Sequence, residues 1–198
     1  MSRALWNAQA RFYGALRANP ISQGILEREN QALMQLLHKI PKKHFEKVLD
    51  IGTGEGNALS VLYASELVCR ECYAVDCAEK MLQRLHRKFP NVKVQQAHAE
   101  NLPFAESTFD LVLCVGVTEY VQNLRALLCE LARTLQPKGY LALTASTRIW
   151  LNLLRYVQLH ALFLREENEV LTLCQETGFA ILAKERTLLQ MQFLLQKK

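Results

Sequence analysis

Short apolar runs alternate with segments of helical period along most of the chain, and that alternation predicts the architecture. Between residues 25 and 39, Ile25, Leu26, Leu33, Leu36 and Leu37 recur at mostly helical spacing, and Pro41 closes the segment. Residues 47–51 read as a first buried strand, 58–65 as a helix, and 72–75 as a second strand ending at Asp76. Residues 79–88 read as a helix broken by Pro90 and Asn91, and 92–97 alternate as a third strand should. The run 109–115 is apolar apart from Asp110, the pattern of a central strand covered on both faces. Residues 124–135 form an amphipathic helix stopped by Pro137 and Gly139, and 140–144 a fifth strand. A helix over 166–177 ends at Gly178, followed by strands at 179–183 and 189–195. So few residues separate this last pair that no parallel crossover fits, so they form an antiparallel hairpin. The expected order is strand and helix repeated five times, then a helix and a terminal hairpin: an α/β sheet with helices on both faces.

The 198 residues suit one domain, with 1–44 as a helical arm, 45–147 as a core and 148–198 as a covering helix, a last helix and the hairpin. The net charge of +5 leans toward anionic partners or membrane surfaces, but it is too small and too scattered to point to nucleic acid. No window offers some 18 uninterrupted apolar residues, and the first residues lack a signal-peptide core, so a cytoplasmic protein is expected. The six cysteines (Cys69, Cys72, Cys77, Cys114, Cys129, Cys174) are then expected as reduced, buried thiols. Cys69 and Cys72 open like a zinc ribbon, but no second pair follows at usable spacing, and no metal site is expected.

The strongest local signal runs from Val48 to Asn57: a hydrophobic strand, three alternating glycines, then a helix. Glycines at such a turn allow positive φ and let a ligand approach the backbone, and the following helix start offers free N–H groups. NAD, FAD and other adenosine ligands all use turns of this kind. Here the third glycine arrives one position early, and Asp50 sits inside the motif, where it would repel a pyrophosphate but suit an ammonium group. An NAD-dependent oxidoreductase is thereby disfavoured. The second strand ends at Asp76, 26 residues beyond Asp50, placed to accept both ribose hydroxyls of an adenosine.

The segments VLDIGTGEG, AVDCAEKML, AHAENLPF, STFDLVLCVGVTEYV and LARTLQPKGYLAL resemble the class I S-adenosylmethionine-dependent methyltransferases, more narrowly the branch acting on small molecules, quinones and lipids. The resemblance covers about residues 45–145 closely. It implies a Rossmann-like seven-stranded sheet of order 3-2-1-4-5-7-6 with strand 7 antiparallel, and S-adenosylmethionine as cofactor. By position it implies that Asp50, Gly52 and Gly54, with Thr53 in the same motif, hold the methionine end. Asp76 would take the ribose, Cys77 and Met81 would line the adenine, and Ala99 and Glu100 would bond its edge. Val115 and Gly116 would face the sulfonium. Thr53 replaces a frequent Cys or Ala of the family, and Ala78 a common Ser.

A methyl on a sulfonium is already activated, so alignment and a dry pocket supply most of the catalysis. The acceptor is expected to be a small apolar or anionic molecule; the alternative is a non-catalytic adenosyl-ligand-binding subunit supporting a partner enzyme. For catalysis only Glu119, Tyr120 and His160 offer themselves, Glu119 reading equally as a helix-start carboxylate, and His98 reads as structural. Residues 149–164 are apolar except for a stripe of Asn152, Arg155 and Gln158. So wide an apolar face suits a lid over an apolar substrate, a peripheral membrane contact, or packing against the amino-terminal helix or a second copy. The chain is left as a monomer or homodimer. The arm around Tyr13 and Arg17 resembles the family's pre-domain segment, which folds over the cofactor.

Overall fold

The structure is a computed structural model in which residues 20–147 and 162–198 are described. The chain runs α1 (Pro20–His38), β1 (His44–Ile51), α2 (Asn57–Ala64), β2 (Val68–Asp76), α3 (Glu79–Lys88) and β3 (Lys93–Gln96). It continues through β4 (Phe109–Cys114), a 3-10 turn (Thr118–Tyr120), α4 (Leu124–Thr134), β5 (Leu135–Ser146), α5 (Glu167–Glu176), β6 (Phe179–Arg186) and β7 (Gln190–Lys197). The seven strands form one sheet of order β3-β2-β1-β4-β5-β7-β6. β7 lies antiparallel to both β5 and β6, and the other pairings are parallel. This is the Rossmann-like topology implied by the sequence.

Alternate side chains of the central strands feed two cores. Leu49, Ile51, Val112 and Cys114 pack with Leu127, Leu128 and Leu131 of α4 and Val170 of α5. On the other face Val48, Leu111 and Leu113 pack with Leu33, Leu36 and Leu37 of α1 and Leu59 and Leu62 of α2. All six residues of β4 are buried, as a strand sandwiched between helices requires. Its Asp110 works at the amino edge of the sheet, accepting from the Glu46 and Lys47 amides at 3.0 Å each and from Lys42 Nζ at 2.7 Å.

The structure corrects several expectations. Between β3 and β4 the chain crosses as a loop with no helix, so the strand–helix repeat is interrupted there. β3 is exposed along its whole length because it is the sheet edge, and its alternation marks no buried face. β5 starts at Leu135, opposite Phe109, and its register shifts before Tyr140 pairs with Leu111. Pro137 and Gly139 lie inside that irregularity, where Lys138 has φ +62°, so they bend a strand as well as following a helix.

The cysteines also depart from the reduced, buried set. Cys69 and Cys72 form a disulfide across the first residues of β2. Their Cα atoms are 6.4 Å apart, whereas three residues of extended strand would span roughly 10 Å. The local bend brings the pair within bonding range. Cys129 is exposed and Cys77 half-buried, leaving Cys114 and Cys174 as buried thiols.

No helix among the described residues is long and apolar enough to cross a membrane. Most of the apolar segment at 149–164, with His160, lies outside the described residues, as do Tyr13 and Arg17. Leu162, at its end, is buried.

Candidate active site

β1 delivers Asp50 to the carboxyl edge of the sheet between two fully buried neighbours, Leu49 and Ile51, and the carboxylate itself is buried. The chain then turns through Gly52, Gly54 and Gly56 at φ +61°, +52° and +79°. At Gly52 the reason is crowding as well as backbone: a Cβ would sit 2.5 Å from Val117 Cγ2, in the loop leaving β4. At Gly54 a Cβ would meet nothing nearer than the Gly52 carbonyl at 4.0 Å. That glycine is required by its left-handed φ, and it leaves the backbone open to an approaching molecule.

Two carboxylates flank this turn. Thr53 Oγ1 donates to Asp50 Oδ2 at 2.5 Å. Burial pushes the Asp50 carboxyl up to about 7, with the Thr53 hydrogen bond opposing and the charge of nearby Asp76 adding to the rise. Asp76, at the end of β2, is fixed by two backbone donors, Gly54 N at 3.0 Å and Ala78 N at 2.8 Å. Burial raises its carboxyl too, and these two N–H groups partly offset the rise. Beside it, burial and then the Asp76 charge push the Cys77 thiol up to about 11.

The adenine-side candidates leave from neighbouring strand ends, since Asp76 pairs with Gln96 and its carbonyl accepts from Ala97 N at 3.2 Å. Met81 is buried in the first turns of α3, Ala99 is half-buried and Glu100 exposed. Residues 97–104 are fastened from α4. Arg133 donates to the carbonyls of Phe104 at 2.8 Å and Leu102 at 3.1 Å, while Glu130 accepts from Leu102 N at 2.7 Å.

On the other side of the turn, Asp50, Gly52, Thr53 and Gly54 line a cavity of about 60 Å³ with Val115 and Gly116 of the β4 end. Sequence reasoning missed the rest of its wall, Glu29 and Asn30 of α1 with Gln190 and Gln192 of β7. Asn30 and Asn57 exchange side-chain hydrogen bonds at 2.7 and 3.2 Å, docking α1 onto the glycine turn. Gln192 donates to the Glu29 carbonyl at 3.0 Å, while its own Oε1 is buried with no partner. A signal existed in each case: Asn30 interrupts an apolar stripe with Leu26, Leu33 and Leu37, and Gln190 and Gln192 share one face at the start of a strand whose middle, Phe193 to Leu195, is apolar.

The catalytic candidates separate. The bend after β4 is locked by Thr144, which accepts from Gly116 N at its hydroxyl and from the Thr118 hydroxyl at its carbonyl, both at 2.8 Å. Glu119 follows within the 3-10 turn, 1% exposed, with its Oε2 unpartnered. It is thus a buried carboxylate in the first turn of a short helix. Tyr120 is half-buried.

A doubly wound sheet ending in an antiparallel hairpin, with a glycine turn and two buried carboxylates at its carboxyl edge, defines a nucleoside-binding α/β class. Residues 49–143 match the family of the methyltransferase domain. Over that stretch the chain is similar to the class I S-adenosylmethionine-dependent methyltransferases, and its sheet has their strand order. It is 28% identical over 158 residues to a Mycobacterium tuberculosis protein named a probable S-adenosylmethionine-dependent methyltransferase, covering 79% of this chain and 56% of that one. It is 32% identical over 128 residues to a malonyl-[acyl-carrier protein] O-methyltransferase of Enterobacter lignolyticus, covering 65% and 50%. The chain spans about half the length of the curated relatives it matches. The fold is shared with a crystal structure of an S-adenosylmethionine-dependent methyltransferase of Thermotoga maritima, with a TM-score of 0.73 and 19% identity over 98% of this chain and all of that one.

Proposed function

We propose that the chain moves the methyl group of S-adenosylmethionine to a small-molecule acceptor by in-line displacement, within one domain of arm, core and carboxyl-terminal cover. The observation that carries this reading is the pair of buried carboxylates held on either side of an open glycine turn. A zwitterionic amino acid joined to adenosine suits that arrangement. Its ammonium matches Asp50 across Gly52, Thr53 and Gly54, and its ribose matches Asp76. Cys77, Met81, Ala99 and Glu100 surround the base, with Val115 and Gly116 toward the sulfonium. The donor supplies a carbon already activated by a positive sulfur, so the protein's part is orientation and exclusion of water.

The acidic lining also discriminates between ligands. Glu29, Asp50 and Glu55 line the cavity with no Lys, Arg or His among its described residues. Such a wall opposes a pyrophosphate and favours a cation. An anionic acceptor finds no cation in this lining, whereas Leu26, Leu33, Ala58 and Val115 suit the apolar acceptor expected from residues 149–164.

Calorimetric titration of the purified protein with S-adenosylmethionine tests the reading. A saturable heat with one site per chain is expected, and the absence of any heat or thermal shift would remove it. Product S-adenosylhomocysteine formed with an added acceptor separates an enzyme from a non-catalytic adenosyl-binding subunit.

A further inference from the structure

Buried side-chain oxygens without a hydrogen-bond partner gather at one end of the sheet. Glu119 Oε2 lies in the turn leaving β4, Ser146 Oγ at the end of β5 and Gln192 Oε1 near the start of β7. Ser146 stands opposite Gln190, Gln192 stands opposite Thr144, and Thr144 is the residue that locks the turn carrying Glu119. Gly116, Gln190 and Gln192 line the cavity, and Glu119 and Ser146 stand next to them in the fold. Glu119 Oε1 itself would lie 4.0 Å from a Cβ on Gly116.

A carboxylate and an amide oxygen can only accept hydrogen bonds. Leaving such atoms buried and unmatched forfeits their solvation, so native proteins keep them chiefly where a ligand or water completes them. The neighbouring cation does not do so. Arg165, whose backbone N–H bonds the Ser146 carbonyl, turns its two terminal guanidinium nitrogens to the carbonyls of Val121 and Gln122 and to Glu169, and its Nε is buried with no partner.

Resting on the methyl-transfer reading above, we propose that the acceptor is an amine, and that Glu119 receives its proton. The nitrogen lone pair forms the new N–C bond as the C–S bond breaks, and the bonding electrons stay on sulfur. The N–H proton passes to Glu119 Oε2. A positive sulfur and a negative carboxylate are thereby both neutralised within a buried site, which is the charge balance a desolvated pocket favours. Gln192 Oε1 holds the amine by a second N–H where one is present. A carboxylate acceptor is turned away by the same oxygens.

The test uses two donor analogues in place of the unidentified acceptor. Sinefungin carries an amine where S-adenosylmethionine carries its transferable methyl, and S-adenosylhomocysteine carries nothing there. Both are titrated calorimetrically into the wild type and Glu119→Gln. The wild type is expected to prefer sinefungin, and Glu119→Gln to shrink that preference by about tenfold with S-adenosylhomocysteine binding little changed. Asp50 is common to both complexes and cancels. Should Glu119→Gln fail to fold, Glu119→Asp retracts the carboxylate and is expected to reduce the preference several-fold. An unchanged preference, with both analogues bound, overturns the role of Glu119. Failure of the wild type to bind either analogue overturns the methyl-transfer reading instead.

Discussion

Thr53 donates its hydroxyl to Asp50 across the glycine turn at 2.5 Å, and that hydrogen bond opposes the burial that lifts the Asp50 carboxyl to about 7. A cationic ligand needs the ionised form, so binding below that value releases a proton. Affinity for S-adenosylhomocysteine is expected to rise up to about tenfold per pH unit below 7 and to level off above it. Calorimetry at pH 6 in two buffers of different ionisation heat is expected to show close to one proton released per ligand. Thr53→Val, which removes the hydrogen bond favouring the carboxylate, is expected to move the plateau to higher pH.

The same carboxyl bears on stability in the opposite sense. Its folded value of about 7 lies above its ordinary 3.8, so between these limits the folded state holds more protons than the unfolded chain. Its contribution is fully present below the unfolded value, is lost as pH rises through the folded one, and is level beyond. Asp76 adds a slope of the same sign, its carboxyl also being raised by burial. Urea denaturation at pH 5 and pH 8 is expected to show Asp50→Asn matching the wild type more closely at the acid end and exceeding it at the alkaline end. Equal differences at the two pH values would contradict the assignment.

The glycines separate folding from binding. Gly54→Ala forces a left-handed φ of +52° on a residue with a side chain but meets no atom within contact distance. A loss of about 1–2 kcal/mol of stability is expected from the backbone alone. Gly52→Ala adds the 2.5 Å clash with Val117 Cγ2 and is expected to melt lower than Gly54→Ala. In the variant that keeps its fold, the added methyl stands where the ligand's backbone contacts would form, and adenosyl-ligand affinity is expected to fall more than tenfold.

Much of this was legible because the signals are local. The apolar run of β4, interrupted only by Asp110 near its start, could only be a strand with two covered faces, and the glycine spacing could only be a turn through positive φ. Helix 79–88 matched α3 because Pro90 and the amphipathic pattern bound it from both sides. What escaped notice depends on contacts far apart in sequence. The Gln192 to Glu29 hydrogen bond joins residues 163 positions apart, and no pattern within either segment announces it. β3 alternates like a half-buried strand, but its place at the sheet edge is set by the pairing of other strands. The burial of Glu119 was not legible because a single acidic residue after a strand carries no mark of it; the Thr144 lock and Phe163, whose N–H bonds the Glu119 carbonyl at 2.7 Å, fold it inward.

Arg133 offers a way to loosen one half of the site while sparing the other. Its guanidinium donates to two carbonyls of the loop after β3 and to Glu130, which in turn holds the Leu102 amide. Hydrogen bonding from Arg133 holds Glu130 below the usual carboxylate range against the effect of burial, with the Leu102 amide and the Arg133 charge adding to it, so the pair acts as a single charged clasp. Arg133→Ala leaves the Phe104 and Leu102 carbonyls without that donor, and a loss of roughly 1–3 kcal/mol is expected, toward the low end because the side chain is partly solvated. Amides of residues 97–104 are expected to exchange hydrogen faster than those of β1 or β4. Adenosyl-ligand affinity is expected to drop several-fold with the pH profile set by Asp50 unchanged, since that carboxylate lies across the glycine turn. Arg133→Lys is expected to behave like the alanine variant, because one ammonium cannot reproduce a planar fork reaching three acceptors. A pH profile that moved with Arg133→Ala would show that the two halves are one coupled unit.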